Sequence, residues 1–112
     1  MGDSLLITRP EYDPTTYYLS KWGEKIIKEA KAKRMNVIDL WRDKANRNRV
    51  IGILEKRDPK LVFFNGHGSE NFIYGHNNEI ILKENDKKAV NSKIIFSRSC
   101  RSAMVLGQNV IY

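Results

Sequence analysis

The chain lacks long hydrophobic runs and is poor in cysteine, proline and glycine. No run of about 18 apolar residues occurs, and the apolar stretch Leu5-Leu6-Ile7 is too short to be the core of a signal peptide. Its 7 glycines and 3 prolines exclude a collagen-like chain, and its 41% apolar residues exclude a disordered one. The single cysteine, Cys100, cannot form an internal disulfide, which fits a reducing compartment. We therefore expect one cytoplasmic globular domain over residues 1–112, with no membrane partner.

Basic residues outnumber acidic residues by 20 to 13, which gives a net charge of +7. The excess does not form a basic stripe interleaved with aromatic residues, the pattern expected of a nucleic-acid interface. Lysines instead alternate with Glu24 and Glu29 at helical spacing: Lys21, Lys25, Lys28, Lys31 and Lys33. This pattern is typical of a solvent-facing helix face, so nucleic acid is not an expected partner.

Short apolar runs alternate with longer segments of helical periodicity, which predicts βαβ units around a parallel sheet. Four main strands are predicted over 4–8, 37–41, 61–64 and 94–97, and the third and fourth are expected to be neighbours, as consecutive βαβ strands usually are. A small β-hairpin over 72–74 and 79–82 is expected after the third strand. The predicted fold class is α/β, a three-layer α/β/α sandwich with a mostly parallel sheet of about four strands.

Local signals predict where the helices begin and end. Asp13 before Pro14 is typical of an N-cap followed by proline at the first helical position. Met35-Asn36 is predicted to end this first helix, and Asp43 to cap the second. Further helical stretches are predicted over 85–90 and 102–107. Both tryptophans are expected to pack in the core, as large aromatic residues at such spacing usually do: Trp22 and Trp41.

Two residues that can carry nucleophilic chemistry follow apolar strands. His67 comes after the third strand and Cys100 after the fourth. Neighbouring parallel strands lie about 4.8 Å apart and end at one edge of the sheet, so we expect these side chains to approach one another. A thiol beside an imidazole is the arrangement of a cysteine nucleophile and its general base. Either residue alone is more often incidental, a turn histidine or a buried thiol, but their joint placement favours a site.

The glycines beside the histidine suit the same chemistry. Gly66 and Gly68 allow backbone conformations that other residues rarely adopt, so the loop can turn sharply. The N–H groups of Gly68 and Cys100 are then candidates for a two-donor oxyanion hole.

Two segments of the chain resemble the active-site signatures of caspase-fold cysteine peptidases of clan CD. They are Val62-Phe63-Phe64-Asn65-Gly66-His67-Gly68-Ser69 and Ile94-Ile95-Phe96-Ser97-Arg98-Ser99-Cys100. In that family one apolar strand ends in His-Gly and the next ends in the nucleophilic cysteine. The stretch Ser97-Arg98-Ser99-Cys100-Arg101-Ser102-Ala103 is most similar to CHAT-domain and clostripain-like members.

The resemblance implies a thiol endopeptidase that acts on peptide or protein substrates without a metal or organic cofactor. It implies His67 as general base, Cys100 as nucleophile, and the N–H groups of Gly68 and Cys100 as oxyanion donors. The resemblance also implies that the four main strands lie in the sheet order 2-1-3-4. The family's sheet continues beyond the strand that carries the cysteine. The resemblance therefore also implies that the chain lacks the family's C-terminal strands, is poorly active alone, and pairs with a partner chain or second copy at the fourth-strand edge.

Other polar residues near these motifs have open interpretations. Arg98 and Arg101 are candidates for binding an acidic substrate side chain, and both can equally face solvent. Glu70 can orient the imidazole or simply be exposed. A metal site made from His76 with the histidine and cysteine above is not expected, since unrelated loops would have to meet. The alternative function is a non-catalytic interaction module, caspase-like or flavodoxin-like.

Overall fold

Four parallel strands form the sheet on which the rest of the domain is built. The structure is a computed structural model that describes residues 4–67, 72–83, 86 and 93–98. Its elements are β1 (Ser4–Arg9), α1 (Pro14–Ala32), β2 (Asn36–Trp41), α2 (Arg47–Lys56), β3 (Leu61–Asn65), β4 (Phe72–Tyr74), β5 (Ile80–Lys83) and β6 (Ile94–Arg98). The sheet order is β2-β1-β3-β6, which confirms the predicted order with β6 as the fourth main strand. Strands β4 and β5 pair antiparallel, which confirms the hairpin.

The two faces of the sheet are covered by different helices. Successive residues of a strand point to opposite faces, so Leu5 and Ile7 face α1 while Leu6 faces α2. The α1 side also buries Ala30 and Phe63. The α2 side is the larger core, because strands, helix α2 and the hairpin all contribute to it. Its other buried residues are Leu40, Ala45, Val50, Leu54, Val62, Phe64, Ile73, Ile81, Leu82 and Ile95. The domain is thus α/β, with a helix on each face of a parallel sheet.

Helix α1 begins where the sequence predicts. The Asp13 side chain accepts a hydrogen bond from the Thr16 N–H, and the Thr16 hydroxyl accepts one from the Asp13 N–H, so the two form a capping box. Pro14 is the first helical residue. Trp22 is partly buried, with its ring 5.8 Å from that of Phe63, which confirms its packing role. The alternating lysines and glutamates of α1 are exposed, as predicted.

Two predicted boundaries are wrong by a few residues. Helix α1 ends at Ala32, and Arg34 rather than Asn36 adopts the left-handed conformation, with φ of 63°. The helix closes early because the Met35 N–H donates to the Ala30 carbonyl. Asp43 lies in a 3₁₀ turn, and the side chain that caps α2 is Asn46, which accepts from the Arg49 N–H at 3.0 Å.

Trp41 is not a core residue, contrary to prediction, because it is 40% exposed. It ends β2, which is an edge strand of the described sheet, so strand periodicity alone does not bury it. Apart from Asp86, the helical stretches expected over 85–90 and 102–107 lie outside the described residues. Within the described part of the chain, no helix combines the length and the apolar character needed to cross a membrane.

Candidate active site

His67 lies just past the carboxyl end of β3, where a glycine turns the chain out of the sheet. Gly66 has φ of 137°, and a Cβ there would come within 3.0 Å of Pro10 Cγ and 3.2 Å of the Tyr74 carbonyl oxygen. A side chain at this position is therefore strained by conformation and by space. The His67 carbonyl accepts a hydrogen bond from the Tyr74 N–H at 3.0 Å, which fixes the loop against β4.

The imidazole of His67 is held by the carboxylate that caps α1. His67 Nε2 lies 2.6 Å from Asp13 Oδ2, and both side chains are about one-third exposed. The pKa of Asp13 is lowered from 3.8 to about 2, chiefly by the hydrogen bond from the Thr16 N–H and further by those from His67 and the Thr16 hydroxyl, against a smaller opposing effect of burial.

This hydrogen bond determines which nitrogen of His67 can act as a base. An ionised carboxylate only accepts hydrogen bonds, so Nε2 carries the proton in the contact with Asp13. In the neutral imidazole the lone pair is then on Nδ1. The arrangement can therefore take a proton at Nδ1 while Asp13 stabilises the imidazolium that forms.

The rings of both histidines of the chain pack against the ring of Tyr12. The Tyr12 ring is 5.9 Å from that of His67 and 5.5 Å from that of His76, with edge-to-face geometry in both pairs. His76 begins a 3₁₀ turn between β4 and β5, and its Nδ1 atom is buried with no hydrogen-bond partner among the described residues. In that part of the chain, no three His, Cys, Asp or Glu side chains cluster as metal ligands do.

A buried asparagine joins the ends of the two strands that lead into the site. Asn65 has no exposed surface, and its Nδ2 donates to the Thr8 carbonyl at 3.2 Å. Helix α1 approaches closely here, because a Cβ on Gly23 would lie 3.0 Å from Asn65 Nδ2. The contact ties β3, which precedes His67, to β1, which precedes Asp13. Asp13 and His67 therefore follow two strands that a buried hydrogen bond joins directly.

Much of the predicted site lies outside the described residues, namely Gly68, Glu70, Cys100 and Arg101. Arg98 is the last residue of β6 and pairs in register with Asn65, while its side chain is outside the described part. An open cleft of about 510 Å³ lies beside Asp13, the hydrogen-bond partner of His67, and its lining residues are Glu11, Tyr12, Asp13, Pro14 and Tyr17. Among the residues predicted to form the site, His67 is thus the one whose side-chain surroundings the structure describes.

The partner of His67 was not foreseen from the sequence. Asp13 is read correctly as an N-cap, and nothing in that motif indicates a contact 54 positions away. The signal that points to it is topological. In the order 2-1-3-4, β1 and β3 are neighbours, so a carboxylate just after β1 is near a histidine just after β3.

Comparison of the chain with protein-family models, with curated proteins and with solved structures found no match in any of the three. The functional interpretation therefore depends on the geometry of the site and on the motifs themselves.

Proposed function

We propose that the chain is a caspase-like cysteine peptidase in which His67 is the general base and Cys100 the nucleophile. The observation that carries this proposal is the Asp13–His67 hydrogen bond of 2.6 Å at the carboxyl end of β3. A histidine held by an ionised carboxylate, with its second nitrogen left to accept a proton, is suited to act as the general base for a nucleophile.

The register between β3 and β6 supports bringing the thiol to this imidazole. The two strands pair in parallel from Leu61 with Ile94 to Asn65 with Arg98. His67 lies two positions beyond Asn65, and Cys100 lies two positions beyond Arg98. Neighbouring parallel strands are about 4.8 Å apart. His67 and Cys100 therefore follow the last paired residues by the same number of positions, which is expected of a dyad at the ends of two adjacent parallel strands.

The proposed reaction is hydrolysis of a peptide bond through an acyl-enzyme. Nδ1 of His67 takes the thiol proton, and the thiolate of Cys100 attacks the scissile carbonyl carbon. The N–H groups of Gly68 and Cys100 stabilise the oxyanion. The imidazolium gives its proton to the leaving amine as the C–N bond breaks. Water, deprotonated by Nδ1, then attacks the thioester and releases the acid and the thiol.

The proposed peptidase function also implies a class of substrate. A peptide is the proposed substrate, and the open cleft beside Asp13, which holds the His67 imidazole, is the proposed place for part of it. Arg98 and Arg101 remain candidates for contacting an acidic side chain of that peptide. No metal or organic cofactor takes part in the proposed chemistry.

The experiment that tests this function is the pH dependence of Cys100 alkylation in the wild-type protein and in His67→Ala. An activated thiol is expected to react quickly well below the ordinary thiol pKa of about 8.5, and loss of the imidazole is expected to slow it. His76→Ala is the matched control, because it removes the other histidine from the Tyr12 ring and leaves Asp13 and His67 in place.

Equal slow rates in wild type and His67→Ala would contradict the peptidase proposal and favour the non-catalytic module. Equal slowing by both histidine substitutions would also contradict it, since the effect would then come from packing around Tyr12 rather than from the base. Alkylation needs no knowledge of the cleavage sequence, so the outcome does not depend on choosing a substrate.

A further inference from the structure

Glu11 is a buried carboxylate in the turn between β1 and α1, two residues before Asp13. Its side chain is only 5% exposed. It accepts hydrogen bonds from the Ser20 hydroxyl, from Trp41 Nε1 at 2.9 Å and from Arg42 Nε at 3.2 Å. These donors lie on α1, at the end of β2, and in the turn after β2. One carboxylate thus connects the β1–α1 turn to three other parts of the fold.

The surrounding charges are arranged so that Glu11 stays ionised. Its pKa is lowered, because the hydrogen bonds from Ser20, Trp41 and Arg42 outweigh its burial, which is the largest single effect and acts in the opposite direction. Ser20 also accepts a hydrogen bond from Arg9 at 3.1 Å, and Arg9 forms a two-point contact with Asp39 on β2. The turn is therefore anchored in a continuous hydrogen-bond network, in which the carboxylate of Glu11 and the guanidinium of Arg9 are buried while Trp41 and Arg42 are partly exposed.

The backbone of Arg42 indicates that this anchor is strongly held. Arg42 has φ of 56°, a conformation that residues other than glycine rarely adopt. Such strain persists where the surrounding contacts compensate for it. Here the guanidinium of Arg42 is paired with Glu11 and lies 4.2 Å from the centre of the Trp41 ring. The same contacts pin Trp41, which is otherwise exposed at the sheet edge.

What this anchor adds to the site differs from what the capping box adds. The capping box ties Asp13 to Thr16, and so fixes it relative to α1 alone. Glu11 ties the same turn to the end of β2, and thus fixes the start of α1 relative to the sheet that carries His67. Tyr12 lies between Glu11 and Asp13 in the chain, and its ring contacts the His67 ring.

We propose that Glu11 is a positioning residue for His67, acting through Asp13 and Tyr12 to hold the carboxylate at hydrogen-bond distance from Nε2. The proposal rests on the proposed function for its catalytic meaning, since it concerns the orientation of the same base. Misplacement of a catalytic group by about 1 Å can cost a large factor in rate, so an anchor outside the site is expected to affect it.

The test compares Glu11→Ala with Glu24→Ala. Glu24 pairs with the same Arg9 at 3.4 Å but lies on α1, and its other ion pair is with Lys21 of the same helix, so it controls for loss of a carboxylate from the network. Two readouts are measured: the ¹⁵N resonances of the His67 imidazole, and the rate of Cys100 alkylation near neutral pH. We expect Glu11→Ala to shift the Nε2 resonance and to slow alkylation about tenfold, with Glu24→Ala close to wild type on both.

The same substitution made in the Asp13→Asn protein shows whether Glu11 acts on the His67 resonances and on the alkylation rate through Asp13. If it does, Glu11→Ala adds little further slowing or spectral change in that background. Glu11→Gln is the milder variant, expected to give an intermediate effect because it keeps an acceptor for Trp41, and it replaces Glu11→Ala should that protein fail to fold. Equal effects of the Glu11 and Glu24 substitutions, or full additivity with Asp13→Asn, would overturn the proposal.

Failure of the proposed function has a different signature. If His67→Ala leaves alkylation unchanged, the peptidase proposal fails. The imidazole resonances still decide the positioning role in that case, because they report the Asp13 contact without any reaction. An unshifted Nε2 resonance in Glu11→Ala would overturn the positioning role whatever the thiol does.

Discussion

Asp13 has two roles, which use the two oxygens of one carboxylate. Its Oδ1 accepts from the Thr16 N–H to begin α1, while its Oδ2 accepts from His67. Both contacts favour the ionised form, which is why its pKa falls to about 2. The start of the helix and the orientation of the candidate base therefore depend on the same charge.

We predict that the stabilisation from the Asp13 charge is lost in acid. The folded-state pKa of about 2 lies below the ordinary value of 3.8, so the contribution is fully present above about pH 4 and disappears as pH falls toward about 2. Asp13→Asn keeps a good N-cap and removes the titrating group. Urea unfolding of both proteins at a series of pH values is expected to show the wild-type advantage shrinking over that range.

Other carboxylates with lowered pKa values titrate in both proteins, so their effect cancels in this comparison: Glu11, Asp58 and Asp86. A difference in unfolding free energy between wild type and Asp13→Asn that stays constant across the acid range would contradict the assignment.

At the scale of elements, the start of α2 is where the structure differs from the sequence-based prediction. Asp43 is the predicted cap, but it lies in the 3₁₀ turn of residues Arg42–Lys44. The residue that caps α2 is Asn46, and the helix begins at Arg47. Short polar residues are good caps at several neighbouring positions, so local sequence cannot choose between them. The choice is made where the Ala45 carbonyl accepts from the His76 N–H and holds the turn against the β4–β5 connection.

We predict that Asn46→Ala destabilises the protein by about 1 kcal/mol, the usual cost of losing a side-chain cap. Asp43→Ala is expected to change the free energy of unfolding by less than about 0.5 kcal/mol, because the Asp43 side chain is exposed and does not cap the helix. The two midpoints in urea measure this directly. The reverse order of effects would place the helix start at Asp43.

At the scale of the whole molecule, β6 is one of the two edge strands of the described sheet. Within the described sheet it pairs with β3 on one side only, and Ile94 is 38% exposed. An unpaired apolar edge is a template for another strand. This supports the proposal that a second copy or a partner chain pairs at this edge.

We predict that the protein alone self-associates through β6, so that its mass in analytical ultracentrifugation rises with concentration. Ile94→Lys is expected to weaken the association, because a charged side chain on an edge opposes strand addition. Asn36→Lys is the matched control, since it places a lysine on β2 at the opposite edge of the sheet. A wild-type protein that stays monomeric over about a hundredfold range of concentration would contradict the prediction.

The sequence by itself determined the strands, the hairpin and the start of α1. These depend on apolar periodicity and on local capping chemistry, which act over a few residues and are visible in the chain. It also singled out His67 as the residue that leaves β3. Its predictions for Trp41 and Asp43 were wrong because exposure at a sheet edge and the choice among neighbouring caps depend on contacts from elsewhere in the fold.

Only the tertiary structure decided how His67 is held. Asp13 and His67 are far apart in the chain, and they meet because β1 and β3 are adjacent and end at the same edge of the sheet. Whether a carboxylate there reaches an imidazole depends on how the β1–α1 turn is anchored, and Glu11 makes that connection through residues of α1 and β2. Hydrogen bonds of this kind require a separation within a few tenths of an ångström, which no local pattern of residues specifies.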